Sequence, residues 1–239
     1  MTIVKNDLVG YGLYIYQDDD FFKFSIDSVL LAEFVDLKFR DKYILDMCCG
    51  NSPVLMILAK KEKNKEYWGI ELQKKIYELA KLSVKENKMD INLINDNVKN
   101  LKTYFKDEFF DVITCNPPYF KYNSNALIND VSEKSIARHE IEITFDEIVK
   151  YANQFLKNNG YFYFVHRTDR FMEFIKVLEN NNFSIKRIQF AYNSKNNDAC
   201  CVLFECVKNG HTQTKVEKPL FINKFLESGD GHETNSRIR

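Results

Sequence analysis

Asn116, Pro117, Pro118 and Tyr119 follow the apolar run Phe109 to Cys115, so a free amide, two prolines and an aromatic ring stand where a buried strand should end. An exocyclic amine conjugated to a ring or carbonyl is a poor nucleophile, because its delocalised lone pair must be localised before it attacks carbon. Acceptors placed around the NH2 favour the pyramidal form. The Asn116 side-chain oxygen and the Pro117 carbonyl suit that task. Pro118 has no N–H, and both prolines hold φ near about −65°, which limits how the loop can relax. Tyr119 adds a ring face on which a base can stack. The chemistry this turn suits is methylation of a planar nitrogen. The plainer account is a Pro-Pro turn that ends a strand, with Tyr119 packing over its edge.

Strand and helix patterns alternate around this turn, the signature of a largely parallel sheet covered on both faces. An extended start near Leu13 to Phe24 precedes a helix over Asp27 to Asp36 and a first core strand over Tyr43 to Met47. Pro53, a first helical position after the cap residue Ser52, opens a helix that continues over Val54 to Lys61. Glu66 to Glu71 reads as a strand, Gln73 to Lys88 as a helix, Ile91 to Ile94 and Phe109 to Cys115 as strands, and Phe145 to Asn158 as a helix. A strand over Tyr161 to His166, a helix over Arg170 to Asn181, and strands near Phe183 to Ala191 and Cys200 to Val207 complete the series. The closing pair, joined by the polar stretch Asn193 to Asp198, predicts an antiparallel edge.

In such sheets ligands sit beyond the carboxyl ends of the strands, where strand order reverses. Asp46 ends the first core strand, and Cys48, Cys49, Gly50, Asn51 and Ser52 form the turn into a helix whose free N–H groups and dipole attract an anionic group. A carboxylate-bearing cofactor suits that position. Glu71 ends the next strand at the separation where an acidic side chain is placed to accept both ribose hydroxyls. Asp96 and Asn97 follow the third strand, where a side chain commonly reads an adenine edge. The order of these elements is more specific than any one of them.

With 239 residues the chain suffices for one large α/β domain, with or without a small appendage. The expected division is an extended segment over 1–26, a core domain over 27–210 and a C-terminal extension over 211–239. Lys and Arg total 34 against 34 Asp and Glu, so any nucleic-acid site must be local. From Lys186 to Arg239, nine basic residues stand against six acidic ones, a mild bias towards polyanions. The six cysteines form no C-x-x-C spacing, which supports neither a metal site nor a disulfide framework. No apolar stretch approaches the roughly 18 to 20 residues of a membrane span, and the expectation is a cytoplasmic protein with no membrane, metal or oligomeric partner indicated.

These residues resemble the class I S-adenosylmethionine-dependent methyltransferases, and within them the amino-group methyltransferases that share an N-P-P-Y signature. The resemblance covers roughly Phe24 to Val207. The run Phe24-Ser25-Ile26-Asp27-Ser28-Val29-Leu30-Leu31-Ala32 is similar to the pre-core helix of the tRNA1(Val) adenine-37 N6-methyltransferases, where a T-D-x-x-L-L-like run borders the cofactor. Ala137-Arg138-His139-Glu140 is similar to that group's A-R-H-E-like segment. The resemblance implies a Rossmann-like fold with a mostly parallel seven-stranded sheet and S-adenosyl-L-methionine as cofactor. It also implies direct in-line methyl transfer, without a covalent enzyme intermediate, to N6 of an adenine in a tRNA anticodon loop. By the same implication Asp46 lies near the methionine amino end, Glu71 holds the ribose, and Asn116 and Tyr119 position the adenine. The family's D-x-G-x-G-x-G turn reads here as Asp46, Cys48, Gly50 and Ser52. Side chains at Cys48 and Ser52 are expected to be tolerated only where the turn needs no positive φ.

Several residues have two readings. Asp27 caps its helix or touches the cofactor or target. Cys115 is a buried small residue rather than a nucleophile. Pro118, Phe120, Arg138 and His139 are candidates for contact with RNA, with exposed loop residues as the plainer account of the last two. Arg167 or Arg170, past the strand that ends at His166, could meet a phosphate. Rival acceptors for the same turn are ribosomal RNA guanine N2 and a protein glutamine, whose enzymes usually bring a separate helical N-terminal domain that this chain lacks. The segment Lys121 to Thr144 is too short for the base-reading domain of a DNA methyltransferase. A non-catalytic RNA-binding relative is the alternative from another class.

Overall fold

The structure, a computed structural model, describes residues 3–8, 10–18, 26–117, 143–211 and 213–227. An antiparallel hairpin comes first, β1 (Ile3–Leu8) with β2 (Leu13–Asp18). Helix α1 (Ile26–Phe34), β3 (Tyr43–Met47), α2 (Pro53–Lys61), β4 (Glu66–Glu71), α3 (Lys74–Glu86) and β5 (Ile91–Asn95) follow. A 3-10 turn (Val98–Thr103) leads to β6 (Phe110–Cys115), and α4 (Phe145–Phe155) runs directly into β7 (Leu156–Arg167). Beyond them lie α5 (Phe171–Asn180), β8 (Phe183–Tyr192), β9 (Ala199–Lys208), the two-residue strands β10 (Lys215–Val216) and β11 (Leu220–Phe221), and α6 (Ile222–Glu227).

The main sheet runs β5-β4-β3-β6-β7-β9-β8, with β10 and β11 both paired to β8. From β5 to β7 every pairing is parallel, while β9 is antiparallel to both β7 and β8. Alternation along the strands divides the core by face. Ile44, Val112, Tyr163 and Val165 pack with α1 and α2 residues such as Leu30, Leu31, Leu55 and Ile57. Leu45, Ile113, Phe162 and Phe164 pack on the other face with Ile148, Phe155 and Phe174. Leu30 and Leu31 are fully buried, and each contributes about 1.5–3 kcal/mol by leaving water.

Three expectations need correction. The seven core strands are all present, but among the described residues the sheet has nine strands because the chain beyond residue 210 returns along β8. Ile222 joins the buried core there, with Leu220 and Phe225 packed against it. The closing pair does form the antiparallel end of the sheet, with β9 on β7, β8 outside it, and among the described residues only the two-residue strands β10 and β11 beyond β8. The extended start is a hairpin, turned through the positive-φ residues Gly10 and Gly12. Helix α4 stops at Phe155 rather than Asn158 because Leu156 already pairs with Phe110. Its start is fixed by a capping box between Thr144 and Glu147.

Candidate active site

Strand order reverses at β3, whose neighbours β4 and β6 carry the chain outward in opposite directions. Register there sets Asp46 beside Thr114 and Met47 beside Cys115, so the turn after β3 and the residues after β6 share one end of the sheet. The Thr114 hydroxyl donates to Asp46 Oδ1 at 2.6 Å. Asp46 is only 2% exposed. Burial pushes its pKa up to about 7 against that hydrogen bond, and the Glu71 carboxylate adds to the rise.

Glu71 ties β4 to the turn. Its Oε2 accepts from the Gly50 N–H at 2.9 Å and its Oε1 from the Gln73 N–H at 2.8 Å. Burial raises its pKa, and the N–H groups of Gln73, Gly50 and Leu72 oppose the rise. The turn is held from further sides by Cys49 N–H to Ile70 O at 3.1 Å and Asn51 Nδ2 to Tyr16 O at 2.7 Å. Gly69 makes room for it, because a Cβ there would stand 2.9 Å from Cys49 Sγ.

The turn does require positive φ, contrary to the expectation for its substituted positions. Cys48, Gly50 and Ser52 have φ of 57°, 54° and 68°. Left-handed backbone costs a non-glycine residue about 1–2 kcal/mol, and the long-range hydrogen bonds just described over-determine it here. Nor does Ser52 cap α2 through its side chain. Its Oγ is buried with no hydrogen-bond partner among the described residues.

Asp96 lies just beyond β5, where it accepts from Asn97 N–H at 2.6 Å, Asn100 Nδ2 at 2.7 Å and Tyr104 Oη at 2.8 Å. The hydrogen bonds from Asn100 and Tyr104 hold its carboxyl below the usual range. Asn97 Oδ1 accepts from Lys99 N–H at 2.9 Å and caps the 3-10 turn. Both side chains thus support local structure just beyond β5.

At the end of β6, Asn116 Nδ2 donates to Ser28 Oγ of α1 at 2.9 Å, and Pro117 is buried behind it. Asp27 is half-buried beside Cys201 of β9, whose thiol is pushed up by burial and then by that carboxylate. Arg167 ends β7 exposed at the same end of the sheet. Arg170 is committed to a bidentate pair with Glu173. His166 lies 4.4 Å from the Phe174 ring, and burial together with Arg170 lowers its pKa to about 4. Pro118, Tyr119, Phe120, Arg138 and His139 lie outside the described residues.

Sequence reasoning missed Thr114, and it named Asn51 and Ser28 only as members of longer runs, with no side-chain role for either. Thr114 and Ser28 each left a signal, a hydroxyl inside an otherwise apolar strand or helix run. Among the described residues no group of three or more His, Cys, Asp or Glu is placed to hold a metal ion, and no helix is long and apolar enough to cross a membrane.

A mostly parallel sheet covered on both faces, with two buried carboxylates and a carboxamide around its point of strand reversal, has the Rossmann-like fold of the class I methyltransferases. Residues 21–191 match the methyltransferase small domain family, and the chain belongs to that family. Its cofactor is S-adenosylmethionine. The tRNA1(Val) (adenine(37)-N6)-methyltransferase of Aliivibrio salmonicida (strain LFI1238) is 26% identical over 183 residues, 76% of this chain and 75% of that relative. The release factor glutamine methyltransferase of Fusobacterium nucleatum subsp. nucleatum is 27% identical over 190 residues, 76% of this chain and 52% of that relative. A crystal structure of a predicted O-methyltransferase from Agrobacterium tumefaciens shares the fold at TM-score 0.66 and 18% identity, covering 85% of this chain and 96% of that one.

The residues fit the cofactor. Nothing lies within 4 Å of where a Cβ on Gly50 would stand, so the turn is open on that side. The unpartnered Ser52 hydroxyl and the first N–H groups of α2 can serve an anionic group, and the buried Asp46 and Glu71 can accept from cationic and hydroxyl groups.

Proposed function

We propose that this protein transfers a methyl group from S-adenosylmethionine to N6 of an adenine in a tRNA anticodon loop, adenine 37 of a tRNA(Val), in the cytoplasm. The observation that carries the reading is the Asn116 carboxamide, hydrogen-bonded to Ser28 at the end of the sheet that also carries the Asp46 and Glu71 carboxylates. A relative bearing the name of that reaction, matched over 76% of this chain, supports the choice of acceptor.

Asp46 and the turn over residues 48–52 would hold the methionine end of the cofactor, Glu71 its ribose, and Asp96 with Asn97 its adenine end. Asp27, on the first turn of α1, would border it. When bound, the cofactor supplies a methyl group on a positively charged sulfur. Asn116 Oδ1 and the Pro117 carbonyl accept from the adenine NH2 and favour its pyramidal form. Charge develops on the attacking nitrogen, so fixed acceptor dipoles and proximity lower the barrier and no strong base is needed. The proton leaves to water afterwards. Tyr119 offers a stacking face, with Pro118 and Phe120 beside it. Arg138, His139 and Arg167 would contact the RNA. A base in a single-stranded loop is unstacked at least cost.

The test is mass spectrometry of nucleosides from total tRNA incubated with purified protein and isotopically labelled cofactor. Labelled N6-methyladenosine in an anticodon-loop fragment is the expected product. The Fusobacterium relative favours one other reading, a protein glutamine, whose planar carboxamide suits the same corner. Label on protein and none on tRNA would select it.

A further inference from the structure

Ser28 is buried, 7% exposed, in the apolar helix α1. Its hydroxyl accepts from Asn116 Nδ2 at 2.9 Å, joining residues 88 apart in sequence. A carboxamide is nearly two-fold symmetric in shape but not in chemistry. Rotation by a half-turn about its last torsion exchanges an acceptor oxygen for two donors. Against a substrate NH2, one orientation accepts and the other sets donor against donor. Local backbone does not choose between them, and a hydroxyl can pair with either end; the bond formed here is the one from Nδ2, so Oδ1 is not the atom that meets Ser28.

The position of Ser28 is set by core packing. Val29, Leu30, Leu31 and Ala32, the next residues of α1, are buried against the sheet and α2. The preceding residue, Asp27, sits beside Cys201 of β9. The hydroxyl is therefore presented to Asn116 by a helix with little freedom to shift.

We propose that Ser28 is a positioning residue, whose hydroxyl holds the Asn116 carboxamide with Oδ1 presented to the acceptor amine. It acts on methyl transfer through Asn116, and neither cofactor nor substrate needs to touch it. The inference rests on the role given to Asn116 above. It also explains why a polar residue interrupts the apolar face of α1 at this point.

The test is steady-state methyl transfer from labelled S-adenosylmethionine to unmodified tRNA transcribed in vitro, for the wild type, Ser28→Ala, Ser28→Thr, Asn116→Ala and the Ser28→Ala/Asn116→Ala double variant. Alanine is a good helix former, so Ser28→Ala should fold, and melting curves check it. Ser28→Ala should lower kcat about 10-fold with the cofactor KM within about twofold, and Ser28→Thr should recover most of the loss because it keeps the acceptor. Adding Ser28→Ala to Asn116→Ala should change nothing further, since the group being oriented is gone. Equal losses in both backgrounds would mean a general packing role and overturn the proposal. So would wild-type turnover of Ser28→Ala alongside an impaired Asn116→Ala. Full turnover of Asn116→Ala, or a wild type that methylates no tRNA, would instead remove the underlying reading and this proposal with it.

Discussion

Acidification should release the cofactor through Asp46. Its carboxyl is 2% exposed with a pKa of about 7, and a cationic group seated beside it binds the ionised form. The ionised fraction is then about 0.76 at pH 7.5 and about 0.03 at pH 5.5. If the bound state keeps Asp46 ionised, Kd rises about 25-fold across that window, roughly 1.9 kcal/mol. The free amino group of S-adenosylmethionine stays mostly protonated there, with an ordinary pKa of about 7.7–8.0. Isothermal titration calorimetry from pH 5.5 to 7.5 measures the slope, and Asp46→Asn should flatten it and bind weakly at pH 7.5. A wild-type affinity independent of pH, or a slope retained in Asp46→Asn, would refute the reasoning. The sign for the ligand-free fold is opposite. The folded pKa lies above the unfolded value of about 3.9, so the contribution of Asp46 to stability is complete below that pH and is lost as pH rises through about 7. Between pH 6 and 8 the ligand-free wild type should therefore lose melting temperature relative to Asp46→Asn.

Other perturbations separate binding from chemistry. Asn116→Ala should lower the methylation rate about 100-fold or more, with cofactor affinity nearly unchanged, and equal losses in calorimetry and turnover would contradict the role assigned to it. Glu71→Ala should weaken cofactor binding, because it removes a proposed ribose acceptor and leaves the Gly50 and Gln73 N–H groups without their partner; an unaltered Kd would take Glu71 out of the site. Ser52→Gly relieves about 1–2 kcal/mol of left-handed strain and adds about 0.5–1 kcal/mol of backbone entropy cost, for a net gain of about 0.5 kcal/mol in urea denaturation. A loss of stability in that variant would show that the Ser52 hydroxyl has a partner that offsets its burial.

The order of strands and helices, and the placing of Asp46, Glu71 and Asn116 at strand ends, were legible in the chain itself. Hydrophobic periodicity and turn residues are local, and they mark where each strand stops. Tertiary structure alone decided which strands became neighbours. Thr114 meets Asp46 across 68 residues, and Asn116 meets Ser28 across 88. No local pattern encodes those pairs, because they follow from strand register and helix packing. The left-handed backbone at Cys48 and Ser52 has the same origin. Local preference opposes it, and it persists because Ile70, Glu71 and Tyr16, brought in from β4 and β2, hold the intervening residues through hydrogen bonds.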